Sequence, residues 1–152
     1  MTTSSTDRIE KSVLLRVPPA RVWRALTDAD EFGAWFGVAL TTPFRVGEPT
    51  LGRITHPGYE HLTMEVQVVA VEPERRFALE WHPYAVNPDT DYAAEPTTLV
   101  EFLLEPVPEG TRLTVIESGF DRLPAARRAE AFRMNEGGWE AQLANVQAHV
   151  GG

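Results

Sequence analysis

The sequence predicts an α+β domain in which a curved antiparallel sheet wraps round a long C-terminal helix, with two short helices after the first strand. Three observations predict it. A strand-like stretch at 8–17 runs into Val17-Pro18-Pro19 and then an apolar stripe of Val22, Trp23 and Leu26. Residues 38–118 alternate apolar and polar with period two, broken by short Pro/Gly turns, as consecutive strands of an antiparallel meander do. From 123 onward Phe132, Trp139, Leu143, Val146 and Val150 recur at the spacing of one helical face.

The elements follow in order. Val13, Leu15 and Val17 share one face of the first strand. Pro19 suits the first turn of a helix, where its missing N–H is not needed. The first short helix spans 19–27 and the second 28–36, the latter opened by Asp28 and Glu31 as a capping box. Strands are expected at 51–56, 62–71, 76–82, 98–104 and 112–118. Phe77, Leu79 and Trp81 lie on one face, as do Val100, Phe102 and Leu104, and then Leu113, Val115 and Glu117. Residues 83–96 break the rhythm with Pro83, Pro88 and Pro96 and three acids, and read either as a solvated loop or as a lid. Gly137-Gly138 interrupts the C-terminal helix and suggests a kink or a close approach to its backbone.

Composition narrows the function classes. The 152 residues suit one domain, expected over 8–150 behind a disordered tail at 1–7 that has no signal-peptide character. There is no cysteine, which removes disulfides and thiol chemistry and fits a cytoplasmic protein. A net charge of −8 argues against nucleic-acid partners. No apolar run approaches a membrane span. His56, His61, His82 and His149 show no metal-type spacing, so no metal is expected. No nucleophile elbow, zinc-protease motif or phosphate-cradling glycine loop is present, and no cofactor is expected.

Five segments in this order, VPPARVWRALTDADEFGAWF, VVAVEPERRFALEW, TTLVEFLLEP, GTRLTVIESGF and GGWEAQLANVQAHV, resemble the activator-of-heat-shock-protein-ATPase homologue family. That family belongs to the START-like (SRPBCC) superfamily. The resemblance covers nearly the whole chain and implies the helix-grip (START-like, Bet v-like) fold, with a six-stranded meander after the two short helices. It also implies a groove between sheet and long helix that holds apolar or aromatic small molecules. Superfamily members include lipid carriers, hydrophobic-ligand-binding plant allergens, aromatic polyketide cyclases and an enediyne-sequestering resistance protein. The founding co-chaperone has a further N-terminal domain, without a counterpart in the 8–150 reading, so a chaperone partner ranks below a hydrophobic small molecule. A homodimer is compatible with the family type.

The leading expectation is a small-molecule-binding protein rather than an enzyme. Trp35, Phe36 and Trp81 sit near element ends, where aromatic rings offer area to flat apolar ligands. With them, Arg53, His56, Met64 and Tyr84 are the expected ligand contacts from the sheet side, and Met134, Gly138 and Gln142 from the helix above. Tyr59 and Tyr92 are further hydroxyls within reach. Glu117 is the one catalytic candidate, the residue of a cyclase- or hydrolase-like alternative. It shares a face with Leu113 and Val115, so it is either a buried carboxyl with a raised pKa or the point where the strand reaches solvent. A third alternative is a co-chaperone-like partner-binding module. Glu65 and Glu80 are expected to face solvent, and Arg127, Arg128, Glu130 and Arg133 to form a solvated helix face.

Overall fold

Strand β1 (Arg8–Leu15) leads into helices α1 (Pro19–Thr27) and α2 (Ala29–Phe36). Six strands follow: β2 (Val38–Leu40), β3 (Pro49–Ile54), β4 (Thr63–Glu72), β5 (Arg76–Trp81), β6 (Thr98–Val107) and β7 (Gly110–Ser118). Helix α3 (Ala125–Val150) closes the order. The structure, a computed structural model, describes residues 7–84 and 92–151. The centre of the 83–96 segment therefore lies outside the described residues. Its described C-terminal part forms a single 3₁₀ turn, Tyr92–Ala94.

The strands form one antiparallel sheet in the order β1-β7-β6-β5-β4-β3-β2. β1 pairs with β7, the last strand, so α1 and α2 carry the chain from one edge of the sheet to the other, where β2 begins the meander. A register shift between Val68 and Ala70 bends β4 against β5. Concave-face residues Val66, Phe77, Leu79, Val100, Phe102, Leu113 and Val115 are all buried. They pack with Trp139, Leu143, Val146 and Val150 of α3 in one core. The fold is the expected helix grip.

Local chemistry explains the helical lid of this core. Pro19 begins α1 with no side-chain cap, and the Asp28 carboxylate accepts from the Glu31 N–H at 3.0 Å to start α2. Only half of the capping box forms, because the Asp28 N–H already donates to the Arg24 carbonyl. The Glu31 carboxylate turns outward instead, to Arg21 at 2.6 Å, Arg24 at 2.7 Å and His149 at 2.9 Å. Gly37 ends α2 at a φ of 93°, the left-handed value that reverses the chain into β2. A Cβ on Gly33 would stand 2.3 Å from the Val38 carbonyl oxygen, so this glycine lets α2 press on β2.

One sequence expectation is corrected here, and one strand is added to those expected. α3 is continuous through Gly137 and Gly138, and nothing lies within 4 Å of a Cβ placed on either. The glycines therefore face open space, with no backbone pressed against them. β2, a three-residue edge strand, is too short to show an alternation of its own and was absorbed into the general β pattern.

Candidate functional site

Above the centre of the concave face, side chains from the strands meet α3 and the end of α2. Period-two alternation turns Met64 and Trp81 toward the helix. On α3, Asn135, Gly138, Trp139 and Gln142 follow the i, i+3, i+4, i+7 spacing of one face. Phe36, the last residue of α2, fits between the two layers. Its ring centroid lies 5.8 Å from that of Trp81 and 6.2 Å from that of Trp139, and the two indoles stack at 5.6 Å with planes 24° apart.

Two adjoining cavities share Phe36, Trp81 and Asn135 as walls. The larger, about 380 Å³, extends over Met64, His82, Tyr84 and Tyr92. The smaller, about 120 Å³, runs beneath Gly138, Trp139 and Gln142. Tyr84 holds a φ of 50°, a left-handed conformation that costs a side-chain-bearing residue about 1 kcal/mol. His82 donates through Nε2 to the Glu95 carbonyl at 3.1 Å. Arg127 ties both described ends of the 83–96 segment to α3, through Glu95 at 2.7 Å and the Pro83 carbonyl at 2.9 Å. Its guanidinium lies 4.8 Å over the Tyr92 ring, and its Nη2 is buried without a hydrogen-bond partner among the described residues. Arg127 therefore does not belong to the solvated helix face that the sequence leads one to expect.

Behind these walls lies Glu117, fully buried. Its Oε2 accepts from Trp81 Nε1 at 2.7 Å and Thr98 Oγ1 at 2.5 Å. Its Oε1 accepts from Trp139 Nε1 at 2.8 Å and Asn135 Nδ2 at 2.9 Å. All four partners are neutral donors, and no cation pairs with it among the described residues. Burial raises the carboxyl above its ordinary value, while the bonds from Thr98, both indoles and Asn135 pull the other way. The strand has not reached solvent at Glu117. Ile9 and Val100 flank it in register, and α3 covers it.

Of the expected ligand contacts, Phe36, Met64, Trp81, Tyr84, Gly138 and Gln142 line the cavities. Four others do not. Trp35 is turned one residue away from Phe36. It is buried against Phe32, and its indole N–H donates to the Ala25 carbonyl at 2.8 Å, binding α2 to α1. Arg53 alternates with Gly52 and Ile54 onto the outer face, where its Nε donates to the Glu60 carbonyl. His56 lies beyond β3, exposed beside Tyr59, and Met134 is 41% exposed, one helical step off the lining face. Glu117 itself lines neither cavity and meets their walls through Trp81, Trp139 and Asn135. Glu65 and Glu80 are exposed, with Glu65 on the rim of the larger cavity. No metal-binding cluster occurs among the described residues.

Sequence reasoning missed Asn135, Thr98 and Trp139 as partners of the carboxylate. The available signal was a Glu on an apolar face together with Asn135 and Trp139 four residues apart on the facing helix.

The model for Activator of Hsp90 ATPase homolog 1-like protein matches residues 16–151. No curated protein matches significantly. Among solved structures, MLL2253 from Mesorhizobium loti is similar at 22% identity, covering 93% of this chain and 95% of that one, with a TM-score of 0.73. DynU16, a protein of the dynemicin biosynthetic locus, is 25% identical over 93% of this chain but 46% of its own, with a TM-score of 0.71. The Aha1 dimer from Colwellia psychrerythraea is 16% identical, covering 92% of each chain, with a TM-score of 0.67. Among the described residues no helix is long and apolar enough to cross a membrane.

Proposed function

The chain belongs to the Activator of Hsp90 ATPase homolog 1-like family, and on that premise we propose that it is a carrier or receptor of an apolar or aromatic small molecule. The observation that carries this reading is the cavity of about 380 Å³ walled by Phe36, Met64, Trp81, Tyr84 and Tyr92, continued by a second of about 120 Å³ under α3. Small-molecule sites occupy about 300–1,000 Å³ with mainly apolar and aromatic walls and a few polar groups. This site has that size and that make-up.

Binding is favoured over catalysis because the one buried carboxyl among the described residues is spent. A general acid or base must reach the reacting atom, whereas Glu117 is enclosed by four donors and lines neither cavity. It acts as a positioning residue that holds both tryptophans and Asn135 in place. The cysteine-free composition suits a cytoplasmic setting for this carrier. Dimerisation, as in the Colwellia protein, is part of the proposal and is read by light scattering of the purified chain.

Native mass spectrometry of the protein purified from its own host tests the reading. A small organic mass retained in the native spectrum and released on denaturation is expected. Gly138→Phe, which fills the smaller cavity, should reduce its occupancy. A native spectrum of bare protein, together with no uptake of any aromatic probe, overturns the reading.

A further inference from the structure

We propose that this pocket selects ligands that present an N–H or O–H donor to the side-chain carbonyl Oδ1 of Asn135. The inference rests on the pocket-binding reading above and specifies its ligand class.

Around the smaller cavity the polar side chains are Trp81, Trp139, Gln142 and Asn135. The indoles of Trp81 and Trp139 turn their only donors into Glu117, so they offer a ligand ring faces and no hydrogen bond. Gln142 is occupied at both ends: its Nε2 donates to the Phe36 carbonyl at 2.9 Å, and its Oε1 accepts from Asn145 at 3.0 Å. Asn135 differs. Its Nδ2 donates to both Glu117 oxygens, at 2.9 and 3.2 Å, and among the described residues nothing donates to its Oδ1. Asn135 is half-buried and borders both cavities.

The amide cannot turn round freely. A flip would set its carbonyl oxygen about 3 Å from a carboxylate oxygen, exchanging a charge-assisted hydrogen bond for repulsion between two acceptors. The buried carboxylate therefore fixes the polarity of a side chain whose carbonyl end is left for the ligand. At the shared wall of the two cavities, the pocket displays an acceptor and no amide donor. The lining contains no Lys or Arg, and Glu65 adds negative charge at the rim. A ligand carrying a phenol, an aromatic N–H or an amine fits this wall. One carrying only ether or carbonyl oxygens leaves the Asn135 acceptor desolvated and unpaired.

Calorimetry at neutral pH with 1-naphthol, 1-methoxynaphthalene and 1-naphthoate tests the proposal on the wild-type chain. Naphthol is expected to bind about fivefold more tightly than its methyl ether, the size of one neutral hydrogen bond. The gap should close in Asn135→Leu, whose folding is checked by its unfolding midpoint. It should also close in Glu117→Gln, where the amide is released to turn. Equal affinity for naphthol and its ether overturns the donor proposal and leaves the pocket reading intact. So does a gap that persists in folded Asn135→Leu, which would trace it to ligand size. Tightest binding of naphthoate overturns it in favour of anion capture by the unpartnered Nη2 of Arg127. Failure of all three probes to bind removes the pocket reading and this inference with it.

Discussion

Glu31 and Glu117 both join α3 to the rest of the molecule, and they do so by opposite electrostatics. Near the C-terminal end of α3, Glu31 is 22% exposed and meets Arg21, Arg24 and His149. Glu117, by contrast, is fully buried and meets only neutral donors toward the middle of the same helix. Partial burial raises the Glu31 carboxyl, but the hydrogen bonds from His149 and the arginines outweigh it and hold the value at about 2. At Glu117 burial wins and the value rises. The contrast teaches what an anchor beside a pocket requires. A cation at Glu117 would neutralise the carboxylate and free the indole and amide donors. Neutral donors instead orient three pocket walls at once.

The largest effect should come from removing the buried anchor. Glu117→Ala leaves two indole N–H groups, a hydroxyl and an amide without their acceptor, and should cost about 3 kcal/mol or more of stability in urea unfolding. Glu117→Gln keeps an acceptor oxygen but turns an N–H₂ toward other donors, so it should cost less than the alanine variant. A loss below about 1 kcal/mol for Glu117→Ala would show that the network reorganises around water.

The pH dependences of the two carboxyls should run in opposite directions. A raised folded value means that stability is fully present below the unfolded carboxyl value of 4.5 and declines as pH rises through the folded value. For Glu31 the stabilisation is present above 4.5 and is lost as pH falls toward about 2. Subtracting the Glu117→Gln profile from wild type should therefore isolate a loss of stability with rising pH. Subtracting the Glu31→Gln profile should isolate a loss with falling pH, worth about 1 kcal/mol because Arg24 is largely exposed and solvent screens the pair. Equal slopes in the two difference curves would break the comparison.

The smallest effect concerns the stretch of α3 between Asn135 and Trp139. Gly137→Ala meets nothing within 4 Å and should stabilise the helix by about 1 kcal/mol, read as a raised unfolding midpoint. Gly138→Ala should stabilise similarly but narrow the smaller cavity, so the pair separates helix propensity from ligand space.

Much of this was legible in the residues. Pro18-Pro19 and Asp28 marked both short helices, and alternation placed Phe77, Leu79, Trp81, Val100, Phe102, Leu113, Val115 and Glu117 on one face. Period two assigns a side chain to a face, yet it carries no information about depth. Glu117 could therefore be read as buried or as exposed, until α3 was seen to cover it. The same limit applies on helices, where one residue is a turn of 100°. Trp35 and Met134 were grouped with the pocket, whereas their neighbours Phe36 and Asn135 face it.

The sequence by itself determined the fold, because strand alternation, proline and capping signals and the apolar face of α3 are local properties of the chain. Tertiary structure alone decided the site. The donors on Glu117 come from β5, β6 and α3, and only the packing of helix on sheet brings them within hydrogen-bond distance. Which atoms of Asn135, Trp81 and Trp139 remain for a ligand is set by that meeting, since each hydrogen-bonding group spent inside the wall is one withheld from the pocket.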